Sequence, residues 1–313
     1  MLPQQLAEAI EQVVARAGGA VPADVERLSA AYRGDDRARA AGTRAAVTAY
    51  LAYRAPATYA AAAAVFRQVA LRRPDWRPRS LLDVGAGPGT AAWAAREAWP
   101  TLDELTLVEI EPEMVAVGRE LLPDARWVAG DVSSATGSAE LVVVSYVLGE
   151  LADSAGVAEM LWKHAADTIA FVEPGTPAGH RRVLEARTAV IAAGGSTVAP
   201  CPHDLPCPLP SDDWCHFATR LPRSKLHRRA KGVELGYEDE KYSYAVLSRV
   251  PVAKAGARII RQPQVRSGHV HLVTSELDGI HQRTVSRKRG AVYKAARDSG
   301  WGDAIDLPPA PQP

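Results

Sequence analysis

The run Leu81-Leu82-Asp83-Val84-Gly85-Ala86-Gly87-Pro88-Gly89-Thr90 carries an apolar segment into G-x-G-x-G and then into a helix-forming stretch. Glycines there let the backbone approach a ligand closely, and the helix start offers unpaired N–H groups. Phosphate, dinucleotide and adenosyl sites all use such a turn, so its companions decide the chemistry. Glu109 ends the next apolar piece, where an acid about twenty residues past the glycines of a doubly wound fold accepts hydrogen bonds from ribose hydroxyls. Asp131 follows a further apolar piece, Arg126–Gly130. Cys201, Cys207 and Cys215 form a second set, with five and seven residues between them. Zinc knuckles usually set two thiolates a few residues apart, so this wider spacing suits wrapping around something larger, such as an iron–sulfur cluster. The alternative is three small core residues, which a Pro-rich loop has little core to hold. A third set is Arg220, Arg223, Lys225, Arg228, Arg229 and Lys231, all within twelve residues.

The elements that must position these groups follow from periodicity. Strands are predicted at Leu81–Val84, Leu105–Val108, Arg126–Gly130, Leu141–Tyr146 and Thr168–Glu173, and helices open after the glycines and at Glu111-Pro112-Glu113-Met114. A further helix is expected over Arg181–Ala193, ending at Gly194-Gly195. Upstream, Met1–Ala20, Ala23–Tyr32 and the Ala-rich Arg44–Leu71 read as helices, with a break at Gly34-Asp35-Asp36. Downstream, Pro200–Pro222 holds six prolines and reads as a loop without regular backbone pairing. Lys241–Arg249, Ala257–Gln262, His269–Ser275 and Ile280–Arg287 read as strands, Asp278-Gly279 as a hairpin turn, and Ala291–Arg297 as a last helix.

This order resembles a class I S-adenosylmethionine (SAM)-dependent methyltransferase over roughly Arg79–Gly195. The resemblance implies a doubly wound α/β fold. It also implies that Gly85, Gly87 and Gly89 line the methionine part of SAM, Glu109 holds the ribose and Asp131 faces the adenine. Asp83 and Ser145, at the ends of the first and fourth strands, complete the candidate cofactor set. A nicotinamide dinucleotide is the competing cofactor, but its G-x-G-x-x-G fingerprint places the third glycine one residue later than here. An ordinary strand-to-helix turn with solvated acids is the plain alternative, which four features in order disfavour.

A narrower resemblance covers nearly the whole chain. Cys201-Pro-His-Asp-Leu-Pro-Cys207-Pro, Trp214-Cys215-His216-Phe217, Arg223-Ser224, His227-Arg228, Leu235–Tyr244, Arg54–Ala60 and Trp301-Gly302-Asp303 are similar to a bacterial and mitochondrial methyltransferase-like family associated with the small ribosomal subunit. It implies small-subunit rRNA as the partner and a four-cysteine iron–sulfur cluster, of the 4Fe–4S type. The chain departs from that pattern: the fourth cysteine is expected within His269–Gly279, where Ser275 stands. An open iron, His203 or a carboxylate as fourth ligand, zinc in place of the cluster, and a degenerate site all stay open.

The chain has 313 residues and a formal net charge of +1, so attraction to RNA must come from a local patch. The six cations of 220–231 would give a log–log salt slope of about −4 to −5 if each neutralised a phosphate. No apolar run is long enough to span a membrane. Glu8 and Glu11 in the amphipathic start argue against a targeting peptide, so a cytoplasmic protein, monomeric when free, is expected. The expected divisions are 1–78 helical, 79–195 methyltransferase core, 196–240 Cys-rich loop with basic segment, 241–307 β-rich basic extension and 308–313 disordered tail.

No catalytic residue is named; Tyr146 and Glu150 are placed to stack on or orient a base, with simple packing the equal alternative for Tyr146. Ser145-Tyr146-Val147-Leu148 lacks the Asn/Asp-Pro-Pro-aromatic loop of amine methyltransferases, and no cysteine lies in the core to attack a pyrimidine carbon. Three functions are consistent with this: an rRNA methyltransferase, a catalytically inactive assembly factor that binds rRNA, and a small-molecule methyltransferase. The basic C-terminal third disfavours the last.

Overall fold

A computed structural model describes residues 2–20, 22–33 and 42–308. The Gly34–Asp36 break and nearly all of the 308–313 tail lie outside the described residues.

The main sheet has strands β1 (Ser80–Val84), β2 (Glu104–Glu109), β3 (Arg126–Ala129), β4 (Ala139–Ser145), β5 (Ala165–Pro174), β6 (Ser196–Ala199), β7 (Phe217–Pro222) and β8 (Tyr237–Ser248). Their order is β3-β2-β1-β4-β5-β8-β6, with β7 also paired to β8. The first five are parallel. β8 enters antiparallel against β5, β6 and β7. This parallel-dominated sheet is the class I methyltransferase architecture expected from the sequence.

Strands covered on both faces must be apolar throughout, and β4 is such a strand, with Leu141 to Val144 buried. One face packs against α1 (Gln4–Arg16), α3 (Arg44–Arg72), α4 (Thr90–Ala98) and α5 (Pro112–Leu121). The other packs against α6 (Ser154–Trp162) and α7 (Pro177–Ala192). Each fully buried Leu or Val contributes about 1.5–3 kcal/mol relative to exposure. The 29-residue α3 begins at Thr43, whose hydroxyl accepts the Ala46 N–H. Its alanines let it lie close to the sheet. α2 (Pro22–Arg33) packs beside it.

After β8 the chain forms a second sheet, β10-β11-β9-β13 with β12 on β11: β9 (Ala257–Ile259), β10 (Gln264–Arg266), β11 (His269–Glu276), β12 (Gly279–Ser286) and β13 (Ala304–Ile305). α9 (Ala291–Asp298) closes its apolar side.

Three sequence expectations are corrected here. Pro200–Pro222 is not wholly unpaired: Phe217–Pro222 form β7, because proline is tolerated at the end of an edge strand. The sheet does not stop at Gly195, since β8 inserts between β5 and β6 and carries the fold to Ser248. The helical region before residue 79 shares its core with the sheet. The helix expected from Arg181 begins at Pro177, capped by the Thr176 hydroxyl on the Gly179 N–H. No described helix is long and apolar enough to cross a membrane.

Candidate cofactor pocket and cysteine cavity

The order of strands reverses between β1 and β4, and ligand crevices form outside the strand ends at such a point. An open pocket lies there, lined by Tyr50, Gly85, Gly87, Glu109, Glu111, Met114, Asp131, Ser145, Tyr146 and Glu150, among others. The three loop glycines all have positive φ, +69° at Gly85, +54° at Gly87 and +85° at Gly89. Their roles differ. A Cβ on Gly85 would strike Val147, and one on Gly89 would strike Leu122, so these two permit packing. A Cβ on Gly87 would meet only the Tyr50 hydroxyl at 3.8 Å and project into the pocket. Gly87 is thus the residue whose missing side chain leaves room for a ligand, while Gly89 lies beneath the pocket as the N-cap of α4.

Glu109 braces the loop: its carboxylate accepts the Gly87 N–H at 2.7 Å and the Glu111 N–H at 2.9 Å. Burial raises its pKa, and those donors oppose the rise. Asp131 sits at the exposed rim, its carboxylate accepting from the Ser133 N–H and hydroxyl. Ser145 keeps a buried hydroxyl without a partner. Asp83 does not reach the pocket. It is fully buried under the loop, and burial pushes its carboxyl up to about 7. The pocket therefore fits a ligand with a backbone-proximal end at Gly87 and hydroxyls within reach of Glu109, as SAM would provide.

Tyr146 and Glu150, read from the sequence as groups able to stack on or orient a base, both line the pocket, and Tyr50 is a pocket residue that the sequence did not single out. Tyr146 takes φ +62°, a strained conformation for a bulky residue. Its hydroxyl donates to Glu240 at 2.9 Å, and Glu240 also pairs with Arg54 of α3. Burial and the Glu240 charge hold the Tyr146 phenol well above its ordinary pKa. No sequence signal marks this link, because Tyr146 and Glu240 lie 94 residues apart.

The second site is the cavity enclosed by the Pro-rich loop. Cys201, Cys207, Cys215 and Ser275 all line it, with His180, Arg187, Tyr244 and Arg258. The loop is held by side chains from outside it. Arg187 of α7 donates to the carbonyls of His203 and Leu205. Asp204 accepts from the Thr197 N–H, the Ser196 hydroxyl and Lys254. Ser243 donates to the Cys215 carbonyl at 2.7 Å, and Trp214 to that of Gly175 at 3.0 Å.

Arg187 and Arg258 are each 2% exposed, and neither forms an ion pair with a carboxylate among the described residues. Arg258 donates instead to the Pro200 and Gly302 carbonyls and to Gln68, while the Arg187 Nε is left unpartnered. Buried cations without counter-charge are costly. An anionic occupant, such as a metal group held by thiolates, would supply the missing charge. The three cysteines are not gathered as a single ion requires: among the described residues, the group of three ligating side chains within 4.8 Å of one another is Glu276, Asp278 and His281. Tetrahedral zinc draws its thiolates closer than that, whereas a cluster with separate irons holds them farther apart. Burial raises the Cys201 and Cys215 thiols, so they are neutral without metal. His203 is buried outside the cavity lining, which leaves Ser275 as the expected fourth position that the fold does bring in.

The basic cluster is divided by the fold. Arg223 and Lys231 both hold Glu238, and Arg220 pairs with Asp239 and stacks on Tyr237. These three are committed to β8. Lys225, Arg228 and Arg229, on α8 (Lys225–Lys231), form no ion pair among the described residues.

A family described as mitochondrial small ribosomal subunit Rsm22 matches residues 44–306. The human ribosome assembly protein METTL17, mitochondrial, is 30% identical over 287 residues, 82% of this chain and 62% of its own length. The Rsm22-cox11 tandem protein 2, mitochondrial, of Schizosaccharomyces pombe is 25% identical over 90% of this chain and 45% of its own. The chain thus spans less than two thirds of these relatives. Among solved structures, the magnesium protoporphyrin IX methyltransferase of Synechocystis with bound SAM is 11% identical, with a TM-score of 0.41 over 62% of this chain and 80% of that one. The precorrin-6y C5,15-methyltransferase of Geobacter metallireducens is 12% identical, with a TM-score of 0.39 over 59% and 86%. The expectation of a cytoplasmic protein is overturned by the named relatives, which are mitochondrial and point to that compartment instead.

Proposed function

The chain belongs to the mitochondrial small ribosomal subunit Rsm22 family, and from that premise we propose that it is a SAM-binding, methyltransferase-like protein that acts with the small ribosomal subunit and its rRNA during assembly. The observation that carries the SAM reading is Gly87, whose absent side chain opens the pocket beside the braced carboxylate of Glu109. When bound there, SAM supplies an electrophilic methyl group. Glu109 is suited to the ribose hydroxyls, Asp131 at the rim to the adenine, and Ser145 offers its unpartnered hydroxyl. Of the cations read from the sequence, Lys225, Arg228 and Arg229 are left to meet RNA.

The cysteine cavity is part of the same reading. Cys201, Cys207 and Cys215 hold an iron–sulfur cluster of the 4Fe–4S type, with Ser275 facing the fourth corner. The two buried arginines suit a thiolate-ligated metal group of either kind, and the spread of the thiols favours a cluster over a single zinc ion. The group would fix the Pro-rich loop against β8 and β11 without taking part in methyl transfer.

The test is transfer of radiolabelled methyl from SAM to small ribosomal subunits from cells lacking the protein, combined with co-sedimentation. Label in the RNA is the outcome expected of an rRNA methyltransferase. Co-sedimentation without label makes the protein an assembly factor that uses the fold as a binding platform. Absence of both label and co-sedimentation refutes the ribosomal reading.

A further inference from the structure

The cations of the second sheet are sorted by where their carboxylates lie. At the β11–β12 turn, Glu276 holds Arg283, and the His281 Nε2 lies 2.8 Å from the Asp278 carboxylate. Arg261 is held by Asp213, and Arg297 by Asp298. Arg266, Arg287, Lys288 and Arg289 are exposed and enter no ion pair among the described residues. Residues 262–275 and 279–297 contain no acid at all.

The strand register brings these cations to one place. Arg266 of β10 lies opposite His269 of β11, which lies opposite Ser286 of β12. The next row is Gln264, His271 and Thr284. Directly paired residues share a face of a sheet. The other face carries Val270, Leu272 and Val285, buried against Tyr293 and Ala296. The rows of Arg266 and Gln264 therefore stand on the side turned away from the core. The Arg287 N–H donates to the Gly268 carbonyl at 2.8 Å, which draws the turn Arg287–Arg289 against the β10–β11 turn at the same edge. The His269 and His271 rings lie 4.7 Å apart, and the His271 Nδ1 is 3.0 Å from the Thr284 hydroxyl.

We infer that this face is an RNA-binding surface separate from α8, taking a single-stranded segment with its phosphates on Arg266 and the Arg287–Arg289 turn and its bases against the His269–His271 pair. It rests on the reading that RNA is the partner, and names where on this chain the strand is held. Cations without carboxylates select a polyanion. Amide, hydroxyl and imidazole groups add hydrogen bonds and flat faces for bases and ribose. The two rows hold no Leu, Phe or Trp of the kind an anionic membrane surface takes up. The same face of β11 continues to Ser275 in the cysteine cavity.

The test is fluorescence anisotropy of the full chain with a labelled single-stranded RNA oligonucleotide across a salt series. The triple variant Arg287→Glu, Lys288→Glu, Arg289→Glu is expected to weaken binding about tenfold or more and to reduce the log–log salt slope by about 2. His269→Ala with His271→Ala, which leaves the charge on the turn intact, is expected to weaken it about tenfold through lost stacking. Lys225→Glu with Arg229→Glu on α8 serves as the independent comparison. No binding by the wild type sinks the RNA reading itself. Wild-type binding with both sheet variants unaffected overturns this surface and leaves that reading standing. Polyglutamate or anionic vesicles displacing the RNA at equal charge would overturn the assignment to RNA. Unchanged melting temperatures show that the variants remain folded, as the exposure of the replaced cations leads one to expect.

Discussion

The cofactor pocket and the cysteine cavity are built on opposite principles. The pocket is made by backbone: three positive-φ glycines, the ends of β1, β2 and β4, and a carboxylate whose oxygens accept main-chain N–H groups. Apart from Tyr50, its lining residues come from one stretch, Gly85 to Leu151. The cavity is made by side chains that converge from α7, the Pro-rich loop, β7, β8, β9, β11 and β12, over about a hundred residues of chain. The pocket keeps its shape as long as the sheet does. The cavity instead encloses two buried cations, Arg187 and Arg258, that have no carboxylate partner among the described residues, and on the reading proposed above an anionic occupant balances them. Two sites in one molecule can thus depend very differently on what is bound in them.

The largest expected effect separates them directly. Cys207→Ser is expected to remove most of the iron and sulfide from anaerobically purified protein and to bleach its colour, while SAM affinity stays within about twofold. Colourless wild-type protein with stoichiometric zinc would refute the cluster. Loss of SAM affinity in the same variant would show that the two sites are not separate.

The reverse variant comes next. Gly87→Val fills the pocket and strains a backbone at φ +54°. SAM affinity measured by calorimetry is expected to fall about a hundredfold or more, about 3 kcal/mol, with iron content unchanged. Retained affinity would remove the basis of the cofactor assignment.

The smallest effect concerns Asp83, the acid beneath the glycine loop. Its folded pKa is pushed up to about 7 from the usual carboxylate range by burial. The folded state therefore holds the proton more tightly than the unfolded chain does. Stability is fullest below about pH 4 and is lost as pH rises toward 7 and just above it. Asp83→Asn is expected to raise the melting temperature by a few degrees at pH 8 and to change little at pH 5. Equal shifts at both pH values would show that the carboxyl is not the group responsible.

The gathering of Gly85, Gly87, Glu109 and Asp131 around one pocket was legible in the sequence because it follows from local constraints. Positive φ requires glycine, and an acid at a strand end is fixed in register by its own strand. The pocket's other wall was legible only in part, since Tyr146 and Glu150 could be read as base-orienting groups but their partners could not. Tyr50 comes from a helix whose alanines and tyrosines read only as packing, and Tyr146 is locked by Glu240 from a strand 94 residues away. The same limit explains the basic segment. Six cations in a row of twelve look equivalent, yet Glu238 and Asp239 remove three of them, because β7 and β8 happen to pair in that register. It explains the strand boundaries as well. Phe217–Pro222 is a strand only because β8 lies beside it.

The sequence by itself determined the parallel strands, the cofactor loop and the order in which they occur, since hydrophobic period and glycine conformation act within a few residues. It also marked Ser275 as the residue standing where a fourth cysteine was expected. Only the tertiary structure decided that Ser275 and the three cysteines share one cavity, that two arginines without a carboxylate partner among the described residues line it, and that exposed cations of the second sheet collect on one face. Those outcomes depend on which distant strands pair and in which register, and that is set by the burial of whole faces and not by any local run of residues.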